Sequence, residues 1–120
     1  MYEQEKDIVL VKQLLQTIKR IFEYNKDFDN PENFVADYKA FDATLMNFVV
    51  LGETVGRISK QFRNNYKHIS WKKIYTFRNI IAHDYFGIDE EEVFEIIKKH
   101  LPKLYIDLKE LLTHLTQFLF

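Results

Sequence analysis

Cysteine is absent from the 120 residues, proline occurs twice and glycine three times. Without thiols the chain has no disulfide framework, no thiolate zinc site and no cysteine nucleophile. Apolar runs are broken every few residues, so none approaches the roughly 18 residues of a membrane span. Charge of one sign is missing too: a formal net charge of -1 argues against a wholesale nucleic-acid coat protein, while leaving room for local patches. No glycine-rich phosphate loop is present. His68, His100 and His114 show no metal-ligand spacing, and no Ser/His/Asp constellation can be read from spacing alone. The acidic start, Met1 to Asp7, is unlike the basic-then-apolar opening of a signal peptide. The expectation is a soluble cytoplasmic protein with no membrane partner.

What is present is a helical pattern. Hydrophobic residues make up 47% of the chain, which excludes disorder. A single domain over residues 1–120 is expected, burying about two-thirds of its unfolded surface. Ile8, Val11, Leu15, Ile18 and Phe22 form one apolar stripe, widened by Leu14 and Ile21. Asn30-Pro31 favours a turn and a fresh helix start. A second stripe runs Phe34, Tyr38, Phe41, Leu45, Phe48, Gly52, Val55, Ser59 and Phe62, predicting one long helix of about eight turns. Gly52 and Gly56 each cost about 1 kcal/mol inside a helix relative to Ala, and would let a neighbouring helix come close. Asn64-Asn65-Tyr66 ends that helix, and Ser70 caps the next, starting at Trp71. Gly87 is expected to stop it. Asp89 with Glu92 reads as a capping box, and Pro102 as the first turn of a last helix striped by Leu104, Leu108, Leu111, Leu115 and Phe118. No strand-like alternation competes, so the prediction is an all-α bundle of four main antiparallel helices plus a short fifth.

The charges are unevenly placed. From Glu53 to Arg78 the bases are Arg57, Lys60, Arg63, Lys67, Lys72, Lys73 and Arg78 against one acid. From Asn79 to Glu95 there are six acids and no base. Charged helix faces are usually only solvated. The sharper alternative is a phosphate-attracting surface that includes Arg57, Lys60, Lys72 and Lys73, with binding that weakens as salt rises.

That basic half leads into Arg78-Asn79-Ile80-Ile81-Ala82-His83-Asp84-Tyr85. Arginine is always charged and histidine titrates near neutral pH, so placing both beside a core is costly unless they are paired or used. At about 100° per residue, Arg78 lies near Ile74, Ile81 and Tyr85 on the mainly apolar side. His83 shares a face with Asn79 and Thr76, roughly 140° away. One straight helix cannot aim both side chains at a single phosphate. Either the Arg side chain curls round, the helix deforms near Gly87, or two chains pool their motifs in a symmetric dimer. Plainer readings stand beside these. His83 can be a structural hydrogen-bonding residue, Tyr85 a core ring with a surface hydroxyl, and Arg78 the partner of Glu53 or of an acid in the fourth helix.

An Arg directly followed by Asn, then a His five residues after the Arg and a Tyr two beyond the His, resembles the signature of the HEPN superfamily, and within it HepT-like toxins. Asp42-Ala43, Leu51-Gly52-Glu53, Trp71-Lys72-Lys73-Ile74, Phe86-Gly87-Ile88-Asp89 and Leu101-Pro102-Lys103-Leu104 extend the likeness over roughly residues 5 to 115. Ser70, Phe94 and Thr54-Val55 depart from the pattern. The resemblance implies a metal-independent endoribonuclease without cofactor, acting on RNA as a homodimer. Arg78 would stabilise the scissile phosphate, and His83 would serve as general base or acid in attack by the ribose 2′-hydroxyl. Asn79 would orient His83 or donate to the phosphate. The family further implies a type VII-like toxin–antitoxin pair, in which a minimal nucleotidyltransferase silences the toxin by adenylylating Tyr85. Two other classes compete: a non-catalytic nucleotide- or substrate-binding partner of such a transferase, and a structural dimerisation module.

Overall fold

The computed structural model describes the backbone of residues 2–119 and the side chains of residues 4–116. Every regular element among them is helical: α1 (Tyr2–Asn25), α2 (Pro31–Ala36), α3 (Tyr38–Arg57), α4 (Lys60–Asn65), α5 (Trp71–His83), α6 (Glu90–Glu95) and α7 (Leu101–Leu119). A 3-10 turn spans Tyr85–Gly87, and a wider turn, Ile96–His100, joins α6 to α7. The all-α bundle with α1, α3, α5 and α7 as its long members is as expected. The short members are more numerous, with α2, α4 and α6 in place of one. No described helix is long and apolar enough to cross a membrane.

The first stripe folds as its spacing demands. Leu10, Val11, Leu14, Ile18 and Ile21 are buried along α1, and each such side chain contributes about 1.5–3 kcal/mol of transfer free energy. They meet Leu45, Phe48, Leu51 and Val55 of α3 and Leu108, Leu111 and Leu115 of α7 in one core. Polar ties fix the directions. Asp7, buried near the start of α1, accepts from Ser59 N at 2.9 Å and Ser59 Oγ at 2.7 Å, just beyond the end of α3. At the far end of α1, Asn25 Nδ2 donates to Thr44 Oγ1 (2.9 Å) and Asn25 O accepts from Lys98 Nζ (3.0 Å). Hence α1 runs antiparallel to α3. Phe22 of α1 stacks edge-on against Tyr105 near the start of α7, so that pair is antiparallel as well.

The single long helix expected from Phe34 to Phe62 is three helices. Asp37 is extended (φ -89°, ψ 92°) and its side chain accepts from Ala40 N, capping α3. Ile58 is extended, and Ser59 caps α4 by accepting from Phe62 N. Asp and Ser are strong N-cap residues, so each break satisfies amide groups that a helix start otherwise orphans. The apolar spacing survives the breaks because Phe34, Phe48 and Phe62 still face the same core. Tyr38 does not: it is 78% exposed and leaves the predicted stripe.

One further expectation shifts. Helix α5 stops at His83, four residues before Gly87, because Asp84 leaves helical geometry (φ -148°, ψ 62°) and its side chain accepts from Gly87 N. Asp89 does cap α6, accepting from Glu91 N and Glu92 N. Pro102 is the second residue of α7 and so falls in its first turn, as expected. Its missing N–H is tolerated there, and the wider turn Ile96–His100 leads directly into α7. The predicted position of Phe118 in the last stripe lies outside the described side chains.

Candidate active site between the third and fifth helices

Helix α5 carries the motif from Arg78 to His83. Its buried residues are Trp71 and Ile81, and α3 is its main neighbour. Trp71 anchors its start, donating Nε1–H to Tyr66 O at 3.0 Å, whereas Ser70 precedes the helix without a side-chain cap. Phe48 and Phe77 pack edge-to-face across the pair at 5.0 Å.

The two helices approach closely where α3 has no side chain. A Cβ on Gly52 would collide with Arg78 Cβ and lie 2.7 Å from Arg78 Cγ and 3.4 Å from the Ile74 carbonyl oxygen. Gly56, one turn on, would meet the Tyr75 ring at 3.4 Å, an ordinary contact. Gly52 therefore provides the groove that seats the stem of Arg78. Gly56 sits against α5 without being required by it.

Arg78 emerges from this groove with its guanidinium engaged on both sides. Nη2 pairs with Glu53 Oε1 of α3, and Nη1 donates to Asn79 Oδ1 at 2.9 Å. Glu53 was one of two partners expected. The side chain curls toward its own neighbour Asn79, so the guanidinium moves part of the way to the face that carries His83. Nε is buried without a hydrogen-bond partner among the described residues. The side chain as a whole is 29% exposed and that of Glu53 56%, so the head group opens on solvent.

His83 ends α5, exposed, and its ring makes no hydrogen bond or ion pair among the described residues. Asn79 makes no hydrogen bond to His83 among the described residues: its Oδ1 accepts from Arg78, and its Nδ2 remains free to donate. Beyond Asp84 the chain turns back toward α3, and the Tyr85 hydroxyl donates to Asp42 Oδ1. This hydrogen bond first, then partial burial and the carboxylate's charge, hold the phenol's pKa above its usual 10.0.

Arg57, Lys60, Lys72 and Lys73 are all exposed and form no ion pair among the described residues. They gather where α3 ends and α4 and α5 begin. Lys72 and Lys73 occupy the first turn of α5, where the helix dipole disfavours cations and no acid offsets them. Basic side chains thus occupy one end of the α3–α5 pair, Arg78 its middle, and His83 and Tyr85 the other end. No described group of three His, Asp or Glu side chains could hold a metal ion. Asp42 is the site residue that spacing did not reveal. The available signal was its register: Asp42 and Glu53 are 11 residues apart, three turns along one face of α3.

A family model for ribonuclease HepT-like proteins matches residues 14–111. The chain belongs to the HepT-like ribonuclease family. Three relatives bear on it. A Methanocaldococcus jannaschii protein named as a gamma-glutamylcyclotransferase and candidate RNase is 31% identical over 92% of this chain and 50% of its own length. A second protein from that organism, named a candidate RNase, is 31% identical over 76% of this chain and 83% of its own. A candidate RNase from Caldanaerobacter subterraneus subsp. tengcongensis is 33% identical over 68% of this chain and 72% of its own. The chain thus spans only half of the first of these proteins. No solved structure matches it significantly. The HepT-like match encloses every candidate site residue from Asp42 to Tyr85.

Proposed function

We propose that this HepT-like chain is a metal-independent endoribonuclease that works as a homodimer and forms the toxin half of a type VII-like toxin–antitoxin pair. One observation carries the reading. A guanidinium held by Glu53 and Asn79 stands five residues before an exposed imidazole, His83, whose ring makes no hydrogen bond or ion pair among the described residues.

In this reading Arg78 binds the scissile phosphate and stabilises the charge that grows on it in the transition state. The Glu53 end of the pair is 56% exposed, so solvent takes up the carboxylate when the phosphate displaces it. His83 takes the proton of the adjacent ribose 2′-hydroxyl. The O2′–P bond forms as the P–O5′ bond breaks, leaving a cyclic phosphate and, after protonation, a free 5′-hydroxyl. Asn79 steadies the guanidinium and offers Nδ2 to a phosphate oxygen. Arg57, Lys60, Lys72 and Lys73 attract the RNA backbone.

The exposed apolar residues beside the site support the dimer. Met46 (61% exposed) on α3, Ile80 (51%) on α5 and Phe86 (98%) in the following turn stand open to solvent. A second copy docked symmetrically on this side would cover them and bring a second Arg78 and His83 to the same cleft. Tyr85 is the acceptor of an adenylyl group from a minimal nucleotidyltransferase partner. Its added bulk and negative phosphate would shut out RNA.

The purified protein should cleave RNA in the presence of a chelator. Arg78→Ala and His83→Ala should each lower the rate by roughly 100-fold or more while leaving the circular dichroism spectrum unchanged. Mixing the two variants should recover activity if the cleft draws on both subunits. Full activity in both variants would overturn the mechanism, and intact RNA alongside tight nucleotide binding would point to the binding-subunit reading.

A further inference from the structure

Two carboxylates of α3 face α5, and they are used differently. Glu53 is committed to Arg78. Asp42 forms no ion pair among the described residues, and the partner of its Oδ1 is the Tyr85 hydroxyl. The tyrosine ring is oriented by two aromatic neighbours, Phe41 at 6.4 Å and Phe86 at 5.2 Å, both edge-on. The backbone beneath it is set by Gly87 N donating to Asp84 Oδ1 at 3.1 Å. Asp42 and Tyr85 are both exposed, so an oriented phenol bound to a free carboxylate stands within reach of another protein.

We infer that Asp42 is the general base for nucleotidyl transfer to Tyr85, so that this chain supplies a catalytic group for its own modification. The inference rests on the reading of Tyr85 as the acceptor. A phenol at neutral pH is protonated and a weak nucleophile, and it needs a positioned base to attack phosphorus. In the step, Tyr85 Oη attacks the α-phosphorus of a nucleoside triphosphate held by the transferase. The Oη–P bond forms, the α–β phosphoanhydride bond breaks, and pyrophosphate leaves with the bonding pair. The phenolic proton passes to Asp42 Oδ1, which already accepts its hydrogen bond. Because that hydrogen bond holds the Tyr85 pKa up, the proton leaves during attack and not before it. The product has lost its O–H donor and carries an anionic phosphate opposite Asp42. The tie between the Tyr85–Gly87 turn and α3 is broken by the same event that blocks the site.

Adenosine 5′-phosphorimidazolide tests this without any transferase, since it delivers the same adenylyl group with imidazole as leaving group. Labelling is followed by peptide mass spectrometry, with the highly exposed Tyr38 as internal reference, and circular dichroism reports on the fold. Tyr85 should label faster than Tyr38. Asp42→Asn, which keeps an acceptor oxygen but not a base, should slow Tyr85 labelling by roughly 100-fold without changing Tyr38 labelling or the circular dichroism spectrum. Asp42→Glu should restore most of the rate. Wild-type labelling of Tyr85 in Asp42→Asn, or an Asp42→Glu variant as slow as the Asn variant, would overturn the role of Asp42 and leave the acceptor reading intact. A wild-type protein labelled at Tyr38 but not at Tyr85 would instead overturn the acceptor reading, and this inference with it.

Discussion

Gly52 of α3 and Arg78 of α5 touch backbone to side-chain stem, and no β-carbon fits between them. The candidate phosphate-binding group is thereby positioned by an absence on the facing helix. Gly52→Ala should gain about 1 kcal/mol of helix propensity yet lose more by forcing α5 outward, for a net loss of about 1–2 kcal/mol. RNA cleavage should fall with it. Gly56→Ala faces only the edge of the Tyr75 ring and should be neutral or stabilising by up to about 1 kcal/mol. Urea denaturation of the two variants separates these opposite signs.

Lys72 and Lys73 sit unfavourably in the first turn of α5. Replacing either with Ala should leave stability unchanged or raise it by about 0.3–1 kcal/mol, while weakening RNA binding. Each lost phosphate contact should also flatten the plot of log affinity against log salt by about 0.7. Thermal melts and binding titrations across salt concentrations check the two effects. Stability and affinity lost together would mean that the lysines serve the fold.

Ile80 is exposed on α5, one turn before His83 and about 60° round the helix from it. Ile80→Asp should leave the protomer folded, because the side chain is 51% exposed and takes no part in the hydrophobic core. If the dimer closes over this face, sedimentation should then report a monomer and cleavage should drop.

The hydrogen bond from Tyr85 to Asp42, followed by burial and the carboxylate's charge, raises the phenol's pKa. The folded state therefore favours the protonated phenol. The associated stabilisation is complete below the unfolded phenol's value near 10.0 and is lost as pH rises through the higher folded value. The stability difference between wild type and Tyr85→Phe should be constant through neutral pH and change only in alkali. Asp42→Asn should move the Tyr85 titration, followed by NMR of ring-labelled tyrosine, down toward 10.0.

Helical periodicity made the bundle readable because one face of each long helix must be buried, and that demand writes itself into local spacing. It misplaced the breaks at Asp37 and Ser59, since an apolar stripe can run across a capped interruption without losing phase. The polar octet was legible as two faces of one helix. Its resolution was not, because Arg78 bends toward Asn79 only after Glu53 and Gly52 are brought alongside.

The sequence by itself determined the all-helical class, the long helices and the motif from Arg78 to Tyr85, because propensity, capping and periodicity act over a few residues. Tertiary structure decided which carboxylate each motif residue received. Glu53 goes to Arg78 and Asp42 to Tyr85, across 25 and 43 residues of chain respectively. Those pairings depend on the register of two antiparallel helices, which the close approach at Gly52 and the packing of Phe48 on Phe77 establish only once the core has closed.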